Sequence, residues 1–292
     1  INIVNSGDIT VGNTNTTGGG VFDSRIANTG NILFQSGTGI ATSGGNILAL
    51  QLGSGNVTND GTLNALAGGV QLATTAGTVT SSSTVNAGDF TATAQTLVDL
   101  QAGFTSNGTT TIITASTGNV ILAGGVTFTN AGGNNVTINA VTDIDINASF
   151  TTTGSGPIDF TATNTGGTAS VETLTLSTGT LLNTNGGSVN LSETGSGDLR
   201  VTGVGVSTVA GAFTASTVAG LITNDTTIET SNGVLVALYE PLTLNLTDMD
   251  GGIAAHAATT TLNLPDGDGY TSIVFTYWTD GSSANNDLWN IT

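Results

Sequence analysis

Carboxylates are concentrated toward the end of the chain, where their spacing could hold a hard cation. In Asp266-Gly267-Asp268-Gly269 two aspartates alternate with glycines, which is typical of a short oxygen-rich calcium turn. Ca²⁺ takes about six to eight oxygen ligands from carboxylates and carbonyls. The spacing lacks the full EF-hand pattern and the nonapeptide of glycine-rich calcium repeats, so we favour solvated turn acids and keep Ca²⁺ as the alternative. The candidate metal ligands are Asp248, Asp250, Asp266, Asp268 and Asp280.

Few other residues could catalyse a reaction. Asp143 and Asp145 lie two apart on a predicted strand, so both project from one outer face at about 7 Å, and paired carboxylates can hydrolyse glycosides. We favour a solvated outer face instead. A Ser-His-Asp triad would require His256, the only histidine, and a basic catalyst would require Arg25 or Arg200, the only two cations. We therefore predict no catalytic residues and no enzyme, with a carbohydrate-binding or carbohydrate-cleaving β-helix as the alternative.

The charge balance excludes two classes of partner. The net charge is −18, from 20 acidic residues against two arginines, and there is no lysine. Binding to nucleic acid needs several cations to neutralise phosphates, and binding to anionic lipid needs basic clusters. No apolar run approaches the roughly 18 residues of a membrane helix, so we expect neither nucleic-acid binding nor membrane insertion.

Cysteine is absent, which suits a secreted protein of this size as well as a reducing compartment. The first residue is Ile1 and not Met, which we interpret as trimming, either by cleavage of a secretion signal or by choice of boundaries. We expect the protein to be extracellular or on a cell surface.

The secondary-structure elements that would position these residues are encoded by a repeated sequence pattern. A phrase of the form Gly-polar-apolar-x-apolar recurs along the chain, and Phe-Thr recurs between its copies. Gly7 and Gly30 are 23 residues apart, and Phe104 and Phe128 are 24 apart. The phrase occurs at 7–11, 30–34, 118–122, 187–191 and 197–201. Such a fixed period indicates a coil of about 22 to 24 residues that is built again and again.

Each coil should hold two or three short strands, because apolar and polar residues alternate over three to five positions between Gly, Asn and Asp. No stretch has a sustained helical stripe. A β-sandwich would also have short strands, but its strands have no reason to repeat one phrase. We predict an all-β, right-handed parallel β-helix, or β-solenoid, over residues 1–240.

The composition changes near residue 240, because every tyrosine and tryptophan lies from Tyr239 onward. A solenoid end exposes unpaired strand edges that must be covered. We predict that residues 241–292 form a C-terminal cap or an assembly module that docks on the first coil of the next subunit. The candidate interface residues are Ile1, Ile3, Val4 and Val11 at one end and Tyr270, Tyr277, Trp278 and Trp289 at the other.

The repeat style resembles that of a known family. The Gly-Asn-Val-Ile-Leu of residues 118–122 and the Asn-Ala filler of 135–140 are similar to the passenger repeats of filamentous haemagglutinin-like adhesins, which are exported by two-partner secretion. The likeness covers roughly residues 1–240, and the NPNG- and NPxL-like motifs of that family's secretion domain are absent. The resemblance implies an extracellular β-helical stalk that presents or assembles something.

We therefore expect a non-catalytic structural protein of the bacterial surface, a subunit of a fibre or adhesin stalk. The expected partners are further copies of the chain, joined head to tail into a homopolymer, because a contact that does not close on itself builds a filament. A glycan or a host-surface receptor is a further expected partner.

Overall fold

The computed structural model describes most of the first two hundred residues and a set of shorter segments beyond them. The described residues are 1–124, 127–130, 135–152, 156–163, 172–176, 181–184, 187–195, 197–201, 205–208, 213–217, 222–224, 227–230, 236–240 and 273–277.

These residues form 32 β-strands and contain no helix, and therefore no helix that is long and apolar enough to cross a membrane. The first sixteen strands are β1 (Asn2–Asn5), β2 (Ile9–Val11), β3 (Asn15–Thr17), β4 (Phe22–Ile26), β5 (Ile32–Phe34), β6 (Gly39–Thr42), β7 (Ile47–Gln51), β8 (Val57–Asn59), β9 (Thr62–Asn64), β10 (Val70–Thr74), β11 (Thr78–Ser81), β12 (Val85–Ala87), β13 (Phe90–Ala94), β14 (Leu97–Leu100), β15 (Phe104–Ser106) and β16 (Thr110–Ala115). The others are β17 (Asn119–Leu122), β18 (Thr127–Asn130), β19 (Asn135–Ala140), β20 (Ile144–Ile146), β21 (Ser149–Thr152), β22 (Ile158–Ala162), β23 (Glu172–Leu176), β24 (Leu181–Thr184), β25 (Val189–Glu193), β26 (Asp198–Val201), β27 (Gly205–Thr208), β28 (Phe213–Thr217), β29 (Ile222–Asn224), β30 (Thr227–Thr230), β31 (Val236–Glu240) and β32 (Ile273–Tyr277).

The strands lie in three sheets, and three consecutive strands make one coil. Sheet 1 has 12 strands and runs β1, β4, β7 and so on to β31 and then β32; sheet 2 runs from β2 to β29 and sheet 3 from β3 to β30, with 10 strands each. Every pairing in the described chain is parallel. The prediction of an all-β parallel β-solenoid is confirmed, and its right-handed sense stays a prediction, the sense that parallel crossovers almost always take.

One apolar core runs through the interior of the coils. From β4 to β22 the buried and outward-facing residues alternate along each strand, as in the buried-intermediate pattern of β13 and β22. Successive phenylalanines pack along the core at ring-centroid distances within the range that aromatic pairs prefer. Phe90–Phe104 at 4.7 Å and Phe128–Phe150 at 5.0 Å are stacked, Phe104–Phe128 at 4.6 Å is tilted, and Phe150–Phe160 at 5.4 Å meets edge to face.

Glycine at the corner before sheet 2 lets adjacent coils approach closely. A Cβ atom at Gly55 would overlap the carbonyl oxygen of Gly30 in the preceding coil, and a Cβ at Gly77 would overlap the Gly55 carbonyl. Only a residue without a side chain fits such a position. The recurring glycine of the sequence phrase is therefore required by stacking as well as by the turn.

Most of the predicted C-terminal module, 241–292, lies outside the described residues. Within it, β32 pairs in parallel with β31, so that Val236 is opposite Ile273 and Glu240 is opposite Tyr277. The strand therefore extends sheet 1 in the manner of a further coil, and it is not the second arm of a hairpin with β31.

Candidate functional site

The candidate site is the outer edge of β1, where sheet 1 begins. The amino group of Ile1 donates to the Val21 carbonyl (2.8 Å), and the Ile1 carbonyl accepts from the Asp23 N–H (2.8 Å). Peptide groups along a strand point alternately to its two sides, so Asn2 and Val4 direct their N–H and C=O groups away from β4. No described strand pairs with that side of β1. Such a row of unpaired groups is a template for another strand.

Two of the predicted interface side chains at this end are exposed. Ile1 is 52% exposed and Val4 is 69% exposed, whereas Ile3 is half-buried and packs against the core. Val11 is only 5% exposed and lies in the core at the start of sheet 2, and its part in the end contact stays a prediction. Its inward position follows from the alternation in β2, where Thr10 takes the outward place.

The backbone hydrogen bonds of sheet 1 have one polarity along the whole rod. Inward-facing residues donate their N–H to the following coil, so outward-facing residues direct theirs to the preceding coil. Bonds of the first kind join Phe22 to Asn46 (2.9 Å), Ile47 to Gly69 (2.8 Å), Val70 to Asp89 (2.9 Å), Val136 to Pro157 (2.9 Å) and Ile158 to Ser188 (2.8 Å). Asn2 and Val4 occupy outward register positions, opposite Asp23 and Arg25. Their peptide groups therefore face the place of a preceding coil.

Side chains add a second set of directed bonds at the corner before sheet 2. The Asp8 carboxylate accepts the N–H of Asn31 (2.7 Å), the Asn31 side-chain carbonyl accepts the N–H of Asn56 (2.9 Å), and that of Asn56 accepts the N–H of Thr78 (2.9 Å). Each bond runs from one coil to the next at the same register position. Sequence reasoning treated these residues as turn formers and missed the bonds, although the Asn or Asp that follows the repeated glycine was the signal.

A side-chain carboxylate also bonds the backbone of the next coil at the corner before sheet 1, where the residue is Asp89. The N–H groups of Thr109 (2.7 Å) and Thr110 (2.9 Å) donate to its Oδ1. Burial is the largest single influence and acts to raise the pKa of Asp89, but these bonds and those of the two threonine hydroxyls together lower it. The carboxylate is thus held ionised as a link between coils.

Asp23 and Arg25 form an ion pair on the strand next to the open edge. The Arg25 Nε donates to the Asp23 Oδ1 (2.7 Å) and Oδ2 (3.0 Å), and this bond, with the charge of Asp23, raises the pKa of Arg25. The charges of Asp23 and Arg25 therefore offset each other on the outward face beside Asn2 and Val4.

Asp143 and Asp145 line a shallow groove of about 330 Å³ on the outside of sheet 2, together with Asn119, Ile121, Ile144 and Thr175. They flank the buried Ile144, so both face outward as the sequence predicts. Burial, and to a smaller extent the charge of Asp145, raises the pKa of Asp143, while a hydrogen bond from Asn119 opposes the shift. The Asp145 carboxylate accepts a hydrogen bond from the Asn147 amide (3.0 Å).

The remaining predicted site residues lie outside the described part of the chain. These are the metal candidates Asp248, Asp250, Asp266, Asp268 and Asp280 and the interface candidates Tyr270, Trp278 and Trp289. Tyr277 is the last residue of β32. The described residues contain no group of three or more His, Cys, Asp or Glu side chains that could hold a metal ion, and calcium binding by the C-terminal acids stays a prediction.

One buried acid was missed by sequence reasoning. Glu193, the last residue of β25, is 0% exposed; its Oε1 accepts the Gly195 N–H (2.8 Å), but its Oε2 has no hydrogen-bond partner among the described residues. Burial, with a contribution from the charge of Asp198, raises the pKa of Glu193, while the N–H groups of Gly195 and Gly197 oppose the shift.

The neutral counterpart of Glu193 is Gln51, which ends β7 at the start of the same corner phrase: residues 51–56 read QLGSGN and residues 193–198 read ETGSGD. The Gln51 Oε1 accepts the Gly53 N–H (2.6 Å), and its Nε2 donates to the carbonyls of Asn28 (2.9 Å) and Gly30 (2.8 Å). A glutamate in this place loses the donor, which accounts for the unpaired oxygen.

Comparison of the chain with models of protein families, with curated proteins and with solved structures gave no match. The resemblance to filamentous haemagglutinin-like adhesins therefore stays a prediction from repeat style, and the site is interpreted from its own geometry.

We predict that Glu193→Gln raises the melting temperature at pH 7 and removes part of its pH dependence. The folded-state pKa of Glu193 lies above its ordinary value of 4.5, so the group stabilises the fold most at acid pH and its contribution declines as pH rises through the interval between the two values. Removing one unpaired buried oxygen should raise the free energy of unfolding by about 1–3 kcal/mol. Thermal melts followed by circular dichroism from about pH 4 to about pH 8, a range that begins near the ordinary carboxyl pKa, test this.

Gln51→Glu is the matched reverse change. It removes the donor to Asn28 and Gly30 and should lower the melting temperature at pH 7, with recovery on acidification. Identical pH profiles for the wild-type protein and Glu193→Gln would contradict the burial of an unpaired carboxyl group.

Proposed function

We propose that this chain is a non-catalytic structural protein, a subunit of an extracellular fibre or adhesin stalk on a bacterial surface, and that it assembles by end-to-end stacking of solenoids. The proposal rests on the open edge of β1, where the peptide groups of Asn2 and Val4 point to the place of a preceding coil. An unpaired parallel edge is completed most simply by a strand that continues the same sheet.

The shape of the pairing supports an end-to-end contact rather than a lateral one. Because each coil closes its three sheets on the next coil, the unpaired backbone of such a rod lies at its ends and not along its sides. Most outward-facing residues of the described flanks are polar, although Leu52, Leu66 and Ile112 are exposed, and a net charge of −18 makes side-by-side rods repel one another. A contact between two different ends does not close on itself and therefore builds a filament.

The mechanical role follows from the same bonds. A rod that lengthens by about 4.8 Å per coil gains three strands of backbone hydrogen bonds and a layer of core with each coil. Such a rod is a stiff spacer that can hold a ligand-binding end away from a surface. The repeat-style resemblance to surface adhesins supports the extracellular setting, with a glycan or a host-surface molecule as the receptor.

A carbohydrate-binding or carbohydrate-cleaving protein is the second candidate, and the groove at Asp143 and Asp145 favours it. A carboxyl group with a raised pKa beside a second carboxyl group is the arrangement that glycosidases use for their acid and base. The groove is shallow and lies on a regular strand face, where solvated acids also suit a rod that must not aggregate.

For this second candidate, we predict that Asp143→Asn leaves reducing-sugar release from a panel of polysaccharides at the same background rate as the wild-type protein. Asp145→Asn is the matched variant, because it removes the neighbouring charge and leaves Asp143 in place. Release above background that disappears in Asp143→Asn would decide for the enzyme, and retention on a glycan array without release would decide for a binding protein.

For assembly, we predict that Val4→Pro produces short single rods where the wild-type protein produces fibres, as measured by length distributions in negative-stain electron micrographs. The Val4 N–H points away from β4, so proline removes a donor that the rod itself does not use, and edge strands tolerate proline at such positions. One lost hydrogen bond of about 0.5–1.5 kcal/mol, together with the ring at the contact, should weaken association about tenfold or more.

Val4→Thr is the control, because it keeps the N–H and a β-branched side chain. Equal melting temperatures for the three proteins show that the rods are folded. Fibres of wild-type length from Val4→Pro, or a wild-type protein that forms only single rods, would refute assembly through this edge.

A further inference from the structure

We propose that β32 of one copy pairs in parallel with β1 of the next copy, in the register of sheet 1, so that the sheet continues across the junction. This inference rests on the proposed function and specifies the partner of the open edge as a second copy of the chain. It is carried by the position of the two strands, because β1 and β32 are the two outer strands of the same sheet.

The backbone polarity of the two strands is complementary. Register positions run unbroken through sheet 1, from Ile3 opposite Ser24 at one end to Leu238 opposite Phe275 at the other. We call the residues that lie opposite one another in successive strands of sheet 1 a column. Phe275 belongs to the column of Ile3 and Ser24, and the members whose side chains the structure describes between the two ends face the interior and bond the following coil. Asn2 and Val4 occupy the columns that bond the preceding coil.

Following each column from β1 to β32 therefore identifies which residue of β32 lies opposite which residue of β1 across the junction between two copies. The register from Asn2 through Asp23, Leu48 and onward ends at Val274, and the register from Val4 through Arg25 and Leu50 ends at Thr276. The intermediate pairings are all parallel and in register. Continuing the same steps places Phe275 opposite Ile3, and Thr276 opposite Val4, of the next copy.

The expected backbone bonds follow the pattern seen inside the rod. The Val4 N–H of one copy would donate to the Phe275 carbonyl of the other, as the Asp23 N–H donates to the Ile1 carbonyl of the preceding coil. The Tyr277 N–H would donate to the Val4 carbonyl. Inside the rod, inward-facing residues donate their N–H groups to the following coil in the same direction.

The surroundings of the edge suit this partner. Ile3 is half-buried at the end of the core, and the docked coil would complete its burial. The charges of Asp23 and Arg25 offset each other on the strand next to the edge, and Val274 and Thr276 are uncharged residues.

The side-chain bonds explain why the junction should be head to tail. At the corner before sheet 2, the first three coils each offer an Asn or Asp oxygen to the N–H of the coil that follows, at Asp8, Asn31 and Asn56. Two copies that met through their first coils would bring two identical edges together. The peptide groups of outward-facing residues would then meet one another, and the paired strands would be antiparallel or out of register. Parallel continuation preserves the register and the direction of every bond.

The test uses the absence of cysteine from the chain, because any disulfide must join introduced residues. Opposite residues of adjacent parallel strands lie about 4.8 Å apart, within the Cα separation of about 4.4–6.8 Å that a disulfide allows. The double variant Val4→Cys/Thr276→Cys of this chain should form a ladder of covalent multimers on a non-reducing gel after oxidation of preassembled fibres, and reductant should collapse the ladder.

The control is the double variant Val4→Cys/Val274→Cys, in which the second cysteine is two residues out of register. Its cysteines would be about 8 Å apart, beyond the disulfide range, so we expect the ladder to be lost. Micrographs of each reduced variant are recorded first, to show that it assembles as the wild-type protein does.

The outcomes separate the two proposals. A ladder from Val4→Cys/Thr276→Cys but not from the control supports the register. Fibres without a ladder from either variant, or an equal ladder from the control, overturn the β32–β1 pairing and leave end-to-end assembly standing. A wild-type protein that forms no fibres overturns assembly itself.

Discussion

The structure depends on one interaction, the in-register parallel pairing of each coil with the next. In sheet 1 the inward-facing residues bond the following coil and the outward-facing residues bond the preceding one, as the Ile47 bond to Gly69 illustrates. This pairing makes the backbone directional, so the two ends of the rod differ chemically even though every coil is built alike. At β1 that direction determines which peptide groups face the place of a preceding coil, namely those of Asn2 and Val4.

Register also limits which residues the chain can use. At a corner where coils approach within contact, as at Gly55 above Gly30, only glycine fits. The residue after it is often Asn or Asp, whose side chain bonds the next coil, as Asn31 bonds Asn56. Between corners, most inward positions take Val, Ile, Leu, Phe or Ala, and exceptions such as Ser24 and Thr111 are small and polar. A coil that must stack on copies of itself therefore accepts few residue types at each position, which accounts for the narrow composition.

The sequence predicted the parts of the fold that stacking dictates, because few folds besides a solenoid combine a period near 23 residues with alternating short strands. It did not predict the parts that depend on individual contacts. Val11 was named only as a candidate for the end contact, and its burial in the core of the first coil is a detail that the structure supplies. Glu193 was passed over because an acid at a strand end normally signals a turn, and its burial becomes evident only beside Gln51. The C-terminal residues interrupt the repeat, so no periodicity could position them.

Coils stack in one direction within the rod, and we propose that fibres extend the same stack. Fibre diffraction from aligned fibres measures this directly, because strands separated by about 4.8 Å along the rod axis give a reflection at that spacing. We expect this reflection on the meridian, with the strands perpendicular to the fibre axis. A reflection at the same spacing on the equator would show rods packed side by side across the fibre and would contradict end-to-end stacking.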